Sequence, residues 1–219
     1  EISACLVGSE MCIRDRCGVR WTLSESERIH YLGAAVSQFE RVVGLDLSLT
    51  STGIAVNPLD GRIDVQKIKS TGKKTDSWAQ RLTRIQDIAR RVEFQVGRDA
   101  LVILEAPSYG SSTGSQHDRS GLWWEVFLRL ATSGSTVVPV EPTKVKKFAT
   151  GKGNADKDKV LAEVVRRYPD IDVDGNDTAD AVALLDIGMH LLGQPLTHVP
   201  ALNRTVLDGI TIPDRVVAA

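Results

Sequence analysis

The run VVGLDLSLTSTGIAV at positions 42–56 constrains the fold more than any other feature of the chain. Two apolar stretches, 42–47 and 52–57, flank a short Ser/Thr turn, which predicts a strand, a tight turn and a second strand. Asp46 lies at the end of the first stretch. A carboxylate among Val, Leu and Gly is costly to bury without a partner, so Asp46 is a candidate for binding a metal or a reacting phosphate. If other carboxylates converge on Asp46, the pattern indicates a metal-dependent enzyme.

Composition narrows the class of protein without identifying its partner. The chain has 219 residues, of which 42% are hydrophobic and 25% charged, which is typical of a globular α/β domain. Its net charge of −1 gives no global indication of nucleic-acid binding, so local clusters must supply one. No apolar run is long enough to span a bilayer, so we expect no membrane association. All 3 cysteines precede position 18, which favours a cytoplasmic location.

The first forty residues are predicted to be an N-terminal extension, 1–40. Positions 1–16 resemble translated sequencing-adapter text, so we expect this segment to be an artefact that lies outside the fold. Ser24 followed by Glu27 forms a possible capping box, and apolar residues then recur at helical spacing. A short helix is therefore predicted to precede the core, over 24–39.

The remaining pattern predicts an α/β domain over 41–193. Three strands form an antiparallel meander: 42–47, 52–57 and 62–69. A helix capped by Asp76 and two further strands are expected at 76–96, 100–104 and 136–140. The other helices are expected at 118–130, 142–148, 155–167 and 177–192. This order matches an RNase H-like fold, with a mixed five-stranded sheet, three strands antiparallel and then parallel, and helices on both faces. The segment 194–219 lacks periodicity and is predicted to be a C-terminal tail that wraps the surface or a neighbouring molecule.

Four acidic residues occupy positions at which such a fold can bring them together. Asp46 ends the first strand and Glu105 the central strand, while Asp177 and Asp180 share one face of the last long helix. Each has a structural alternative by itself: turn capping, strand-end exposure, or favourable contact with a helix dipole. Taken together, the four predict two-metal hydrolysis of a phosphodiester.

Three segments resemble RuvC-type Holliday-junction resolvases: GLDLSLTSTG at 44–53, ILE at 103–105 and NDTADAVA at 176–183. The tail is more like that of phage-type members. The resemblance implies a crossover junction endodeoxyribonuclease in which Asp46, Glu105, Asp177 and Asp180 hold two Mg²⁺ ions, with Mn²⁺ as a substitute. It also implies that four-way DNA junctions are the substrate and that the enzyme is a homodimer.

A basic segment beside the last acidic helix is the candidate DNA contact. Six lysines cluster here, of which the first five are the predicted DNA contacts: Lys144, Lys146, Lys147, Lys152, Lys157 and Lys159. The resemblance implies backbone contacts near the scissile phosphate for Lys146 and Lys157, although solvated lysines are the structural alternative. Tyr109 is nearest to the family's junction-probing aromatic residue, one place later and after Pro107.

A weaker basic patch lies within and just after the predicted third strand, and solvated surface is its simpler interpretation. It consists of Arg62, Lys67, Lys69, Lys73 and Lys74.

Two adjacent aromatic residues, Trp123 and Trp124, cannot both face one core from the same helix. One is expected to pack inside the domain. The other is a candidate for a dimer surface, where buried aromatic residues concentrate.

Three other functions share parts of this pattern. A branch or flap nuclease would use the same fold and carboxylates. A non-cleaving junction-binding protein would keep the fold without the chemistry. An actin-like or sugar-kinase-like ATP-binding domain uses a similar Asp and Ser/Thr turn, but the chain looks too short for the two domains of such proteins.

Overall fold

The computed structural model describes residues 3–7, 10–14, 20–22, 39–59, 61–107 and 115–213. The first three segments are strands β1 (Ser3–Val7), β2 (Glu10–Arg14) and β3 (Arg20–Thr22), which pair as an antiparallel sheet of their own. They do not join the main sheet. The helix predicted over 24–39 lies outside the described residues except for Phe39, and so do most of the Gly/Ser loop and Tyr109.

The main sheet contains five strands and confirms the mixed topology expected from the sequence. They are β4 (Arg41–Asp46), β5 (Ser51–Asn57), β6 (Asp64–Lys69), β7 (Ala100–Glu105) and β8 (Thr136–Val140). Their order across the sheet is β6-β5-β4-β7-β8. The first three strands pair antiparallel, whereas β4 with β7 and β7 with β8 pair parallel.

Helices cover both faces of this sheet. They are α1 (Trp78–Val96), α2 (Gln116–Thr132), α3 (Pro142–Thr150), α4 (Lys157–Arg167), α5 (Asn176–Leu191) and α6 (Ala201–Arg204). Alternate residues of β4 enter different cores: Val43 and Leu45 pack with α1 and α2, whereas Val42 packs with α5. This alternation follows from the two-residue period of a strand.

Glycines allow α5 to lie directly on the sheet. A Cβ atom at Gly44 of β4 would collide with the backbone of Ala181 and Leu185, and one at Gly53 of β5 would collide with the carbonyl of Asp177. A Cβ atom at Gly188 would lie 2.6 Å from Val42. These contacts fix α5 antiparallel to β4, so the first turn of the helix lies over the end of the strand that carries Asp46.

Two local predictions were wrong in instructive ways. Ser77, not Asp76, caps α1, because Ser77 forms a reciprocal capping box with Gln80. Asp76 instead accepts a hydrogen bond from the Lys73 amide at 2.7 Å, which closes the turn before the helix. The third strand begins at Asp64 rather than at Arg62.

The described part of the C-terminal segment, 194–213, packs on the domain's own core. It forms α6 and a 3-10 turn (Leu207–Gly209), and Val199, Val206 and Ile210 are buried with the α5 core. Asn203 is buried and donates to the Phe148 carbonyl at 2.9 Å. This segment therefore stabilises the end of α3.

Candidate active site

The four predicted carboxylates come together at one end of the sheet. Leu45 lies opposite Leu104 in the parallel pairing of β4 with β7, so Asp46 and Glu105 are neighbours one residue further on. Leu45 and Leu104 both point into the α1–α2 core, so Asp46 and Glu105 point to the opposite face, where α5 lies. The contact between Gly53 and Asp177 then brings the first turn of α5 to the same place.

The electrostatics of Asp46 show that all four groups interact. Burial, together with the charges of Glu105, Asp180 and Asp177, raises the pKa of Asp46 well above its ordinary value. Desolvation and like charge both disfavour a carboxylate, so three acidic neighbours make the protonated form easier to retain. Asp46 is thus the group on which the others converge.

The pKa values of Glu105 and Asp180 are raised as well, again mainly by burial. Burial and then the charge of Asp180 raise the pKa of Glu105 to about 7. Burial raises the pKa of Asp180 to about 6, with Lys157 opposing the rise and Asp177 adding to it. Without a cation the cluster is therefore under electrostatic strain near neutral pH.

Only two of the five predicted lysines act on the carboxylates. Lys146 of α3 and Lys157 of α4 both lower the pKa values of Glu105 and Asp180. Lys144 is engaged elsewhere, because it pairs with Glu141 at 2.8 Å and donates to the Gly209 carbonyl. Lys147 is half-buried and Lys152 is exposed, and neither is among the charges that shift these carboxylates.

The Ser/Thr turn after Asp46 is closed by its own hydroxyls. Thr52 is buried; its Oγ1 donates to the Ser48 carbonyl at 2.9 Å and accepts from the Ser48 amide at 3.1 Å. Arg84 of α1 donates to the Leu49 carbonyl from outside the turn. Thr52 therefore caps this turn, which was the structural role considered for Asp46 as an alternative to metal binding.

Sequence reasoning missed two residues that position the site. Trp123 of α2 donates from Nε1 to the Glu105 carbonyl at 2.9 Å, which fixes the end of β7. Lys67 of β6 pairs with Asp174 at 2.9 Å, just before α5, and Asp174 also accepts from the Thr178 hydroxyl. The Trp pair was visible in the sequence, but its partner was not. Lys67 looked like one more surface lysine.

The donor set suits a hard cation, although it is not assembled as a metal site. Carboxylate oxygens are the ligands that Mg²⁺ prefers, and a cation would relieve the repulsion that raises these pKa values. Within the described ranges, no three His, Cys, Asp or Glu side chains are already arranged to hold a metal ion. The acidic side chains would have to turn towards the ion on binding.

The two tryptophans divide as the sequence predicted. Trp123 is buried, whereas 64% of Trp124 is exposed. Leu128, one turn further along α2, is 60% exposed. No helix in the described part of the chain is long and apolar enough to cross a membrane.

Comparison with known proteins identifies the family. No family model matches the chain. Crossover junction endodeoxyribonuclease RuvC of Zymomonas mobilis is 31% identical over 147 residues, which are 65% of this chain and 86% of that protein. The RuvC protein of Synechococcus sp. strain WH7803 is 30% identical over 150 residues, covering 66% and 94% of the two chains.

Solved structures agree on the fold. Thermus thermophilus RuvC aligns with a TM-score of 0.52 and 18% identity, over 72% of this chain and 99% of that chain. The same protein in complex with a Holliday junction substrate aligns with a TM-score of 0.52 and 20% identity. The RNase H-like fold is thereby confirmed, and the two curated relatives show that the chain belongs to the RuvC family of crossover junction endodeoxyribonucleases.

Proposed function

We propose that this protein is a metal-dependent endonuclease that resolves four-way DNA junctions. The observation that carries the proposal is the convergence of four carboxylates beside Lys146 and Lys157, with the pKa values of Asp46, Glu105 and Asp180 raised. Family membership supports the same activity, since the relatives are named for crossover junction cleavage.

Asp46, Glu105, Asp177 and Asp180 are proposed to hold two Mg²⁺ ions, for which Mn²⁺ could substitute. Bound metal would supply Lewis-acid activation of water and stabilisation of the leaving oxygen. The chain itself holds the four acidic groups at one end of the sheet. It raises the pKa of Glu105 to about 7 and that of Asp180 to about 6, so these two groups lose their protons near neutral pH. Lys146 and Lys157 would neutralise phosphate charge next to the carboxylates.

The remaining predicted contacts belong to the same proposal. Lys147 and Lys152 would extend the backbone contact from α3 towards α4, whereas Lys144 would first have to leave Glu141. Tyr109 is proposed to touch the junction, and its position lies outside the described residues. The nuclease domain would span 41–193, between the extension 1–40 and the tail 194–219. A cytoplasmic location is part of the proposal because the DNA substrate is found there.

The test is cleavage of synthetic four-way, three-way and flap DNA with and without Mg²⁺. We expect paired nicks in the four-way junction and none when Asp46 is replaced by Asn, with binding retained. Preferential cutting of flaps would indicate a general branch nuclease instead. Binding without cleavage in either Mg²⁺ or Mn²⁺ would indicate a junction-binding protein.

A homodimer joined through α2 is proposed as the functional form. Two symmetric cuts need two active sites, and a twofold dimer provides them. Trp124 and Leu128 lie four residues apart on the exposed face of α2, and Trp124 stacks edge-on against Trp123 at 4.9 Å. A second copy would cover this face and keep its aromatic anchor rigid.

Charge reversal tests the dimer. Trp124→Glu is expected to shift the protein to monomers in sedimentation velocity and to replace paired nicks by single ones. Phe94→Glu is the matched control, because Phe94 is 82% exposed on α1 and lies outside the proposed interface. An unchanged dimer in the Trp124 variant would contradict this interface, and a monomeric wild-type protein would contradict the dimer itself.

A further inference from the structure

The weaker basic patch separates into three groups once the sheet topology is known. Lys67 is occupied by its ion pair with Asp174. Arg62 precedes β6, at the end of the sheet opposite to the carboxylates, because β6 runs antiparallel to β5 and β5 antiparallel to β4. Lys69 is the last residue of β6, and Lys73 and Lys74 follow it, at the same end of the sheet as Asp46.

Strand register shows how Lys69 relates to the acidic cluster. Lys67 lies opposite Gly53, and Gly53 lies opposite Asp46, so these residues form one row across the sheet. Lys69 lies two residues after Lys67 in β6, on the same face of the sheet and opposite Ser51. Ile68 points into the α1–α2 core, so Lys69 points to the face that carries Asp46. Strand spacing puts β6 about 10 Å from β4.

Lys73 and Lys74 lie on a turn that is held by its backbone. The Lys73 amide donates to the Asp76 carboxylate at 2.7 Å, and the Asp76 amide donates to the Lys73 carbonyl at 3.1 Å. Arg81 donates to the Lys74 carbonyl at 3.2 Å. The turn is thus fixed through main-chain groups, which leaves both ammonium groups in solvent.

The strand end before this turn is anchored as well. Arg84 donates from Nε to the Ser70 hydroxyl at 3.0 Å and also reaches the Leu49 carbonyl. One arginine therefore ties the segment after β6 to the turn after Asp46. Lys69, Lys73 and Lys74 are all exposed, and within residues 39–59, 61–107 and 115–213 none of them is in an ion pair.

We propose that Lys69, Lys73 and Lys74, the β6 lysine patch, form a second binding surface for DNA phosphates, across the carboxylates from Lys146 and Lys157. The carboxylates lie on β4, β7 and α5, between the β6 edge and the α3–α4 side. A DNA backbone that crosses the acidic cluster would therefore have cations on both sides of the scissile position. Such contacts contribute affinity and salt dependence rather than sequence readout.

This inference rests on the proposed DNA substrate. Its test distinguishes failure of the lysine patch to bind DNA from failure of the proposed function itself. Binding of a four-way junction is measured over a range of salt concentrations in Ca²⁺, which prevents the comparison from depending on cleavage. Lys69→Ala is compared with Arg62→Ala, because each removes one cation next to β6, from opposite ends of the strand. Removing one lysine–phosphate interaction lowers the slope of log affinity against log salt by about 0.9.

The expected result is a slope reduced by about 0.9 for Lys69→Ala and by about 1.8 for the double variant Lys73→Ala/Lys74→Ala. Arg62→Ala should keep the wild-type slope. Equal slopes for wild type and patch variants would overturn this inference alone. A wild-type protein that neither binds nor cuts branched DNA would overturn the proposed function instead.

Discussion

Helix α5 carries acidic residues at both ends, and the two ends solve the problem of burial in opposite ways. Near its C-terminal end, Asp186 is fully buried and fully bonded: it accepts from the Tyr168 hydroxyl at 2.6 Å and from the Leu196 amide at 2.8 Å. His190 approaches the same carboxylate at 3.1 Å. Burial and the adjacent Asp186 raise the pKa of Tyr168, as expected for a hydroxyl held as a donor.

The N-terminal end of α5 leaves its carboxylates facing other carboxylates. Asp177 and Asp180 meet Asp46 and Glu105, and among the described residues Lys146 and Lys157 are the cations that oppose the accumulated charge. A buried acid with complete hydrogen bonding is a structural element, because its donors replace lost water. Acids that repel one another are retained at a cost in stability, which is typical of functional sites.

The largest expected effect comes from an Asp→Asn substitution at the N-terminal end of α5, where the four carboxylates meet. Asp180→Asn should lower the rate of junction cleavage by roughly 10²–10³-fold, the range found when one group that stabilises a transition state is removed. It should leave the metal-free protein as stable as the wild type or more so at pH 8, because it removes one repelling charge. Single-turnover cleavage measures the rate, and urea unfolding measures the stability of the metal-free protein. A destabilised but fully active variant would contradict the contrast between the two ends.

The matched substitution at the other end should act on stability instead. Asp186→Asn turns one acceptor into a donor that faces Tyr168 or Leu196, which costs about 1–3 kcal/mol in unfolding free energy. The cleavage rate below the unfolding transition should change only a few-fold. Tyr168→Phe serves as the control, since it removes one donor and leaves the remaining contacts. Cleavage lost without loss of stability would mean that Asp186 belongs to the active site.

The pH dependence of stability sharpens the comparison further. The pKa of Glu105 rises from 4.5 to about 7 on folding, so the native state binds a proton that the unfolded chain has released. The contribution of Glu105 to the stability of the metal-free protein should therefore fall by about 3 kcal/mol between about pH 4.5 and 7, since one pKa unit corresponds to about 1.4 kcal/mol.

Glu105→Gln should remove most of that fall, and excess Mg²⁺ should raise stability most above pH 7, where the wild-type carboxylates are ionised. Thermal melts in chelator and in Mg²⁺ at pH 5 and pH 8 measure both effects. If the stability of the Glu105 variant depended on pH as that of the wild type does, Glu105 would not be the source of the loss of stability.

The smallest expected effect concerns Lys67, which holds the loop before α5. Lys67→Met should raise the Mg²⁺ concentration needed for half-maximal cleavage a few-fold, because the first turn of α5 loses its ion pair with β6. Lys67→Arg should restore the wild-type value. A purely structural role would lower the melting temperature and leave the Mg²⁺ requirement unchanged.

Much of this protein could be predicted from sequence because its signals are local. Alternation and apolar runs located the five main strands, and the first and last acidic motifs carried the RuvC resemblance that the relatives confirm. Caps were less predictable: Asp76 and Ser77 are both good caps, and only the reciprocal bond from Gln80 decides between them. The separation of Trp123 from Trp124 followed from helix geometry, but the bond from Trp123 to the Glu105 carbonyl did not.

By itself the sequence determined which residues could do the chemistry: one acid at the end of each of two strands, two acids on one helical face and a basic segment next to them. Tertiary structure alone decided which of them meet. Gly44 and Gly53 let α5 lie directly on the sheet, so that Asp177 and Asp180 reach Asp46. Topology also separated lysine and arginine side chains that the sequence could not distinguish. Strand direction places Lys69 at the end of the sheet where the carboxylates lie and Arg62 at the opposite end. Residue type is local information, whereas proximity depends on pairing and packing between distant parts of the chain.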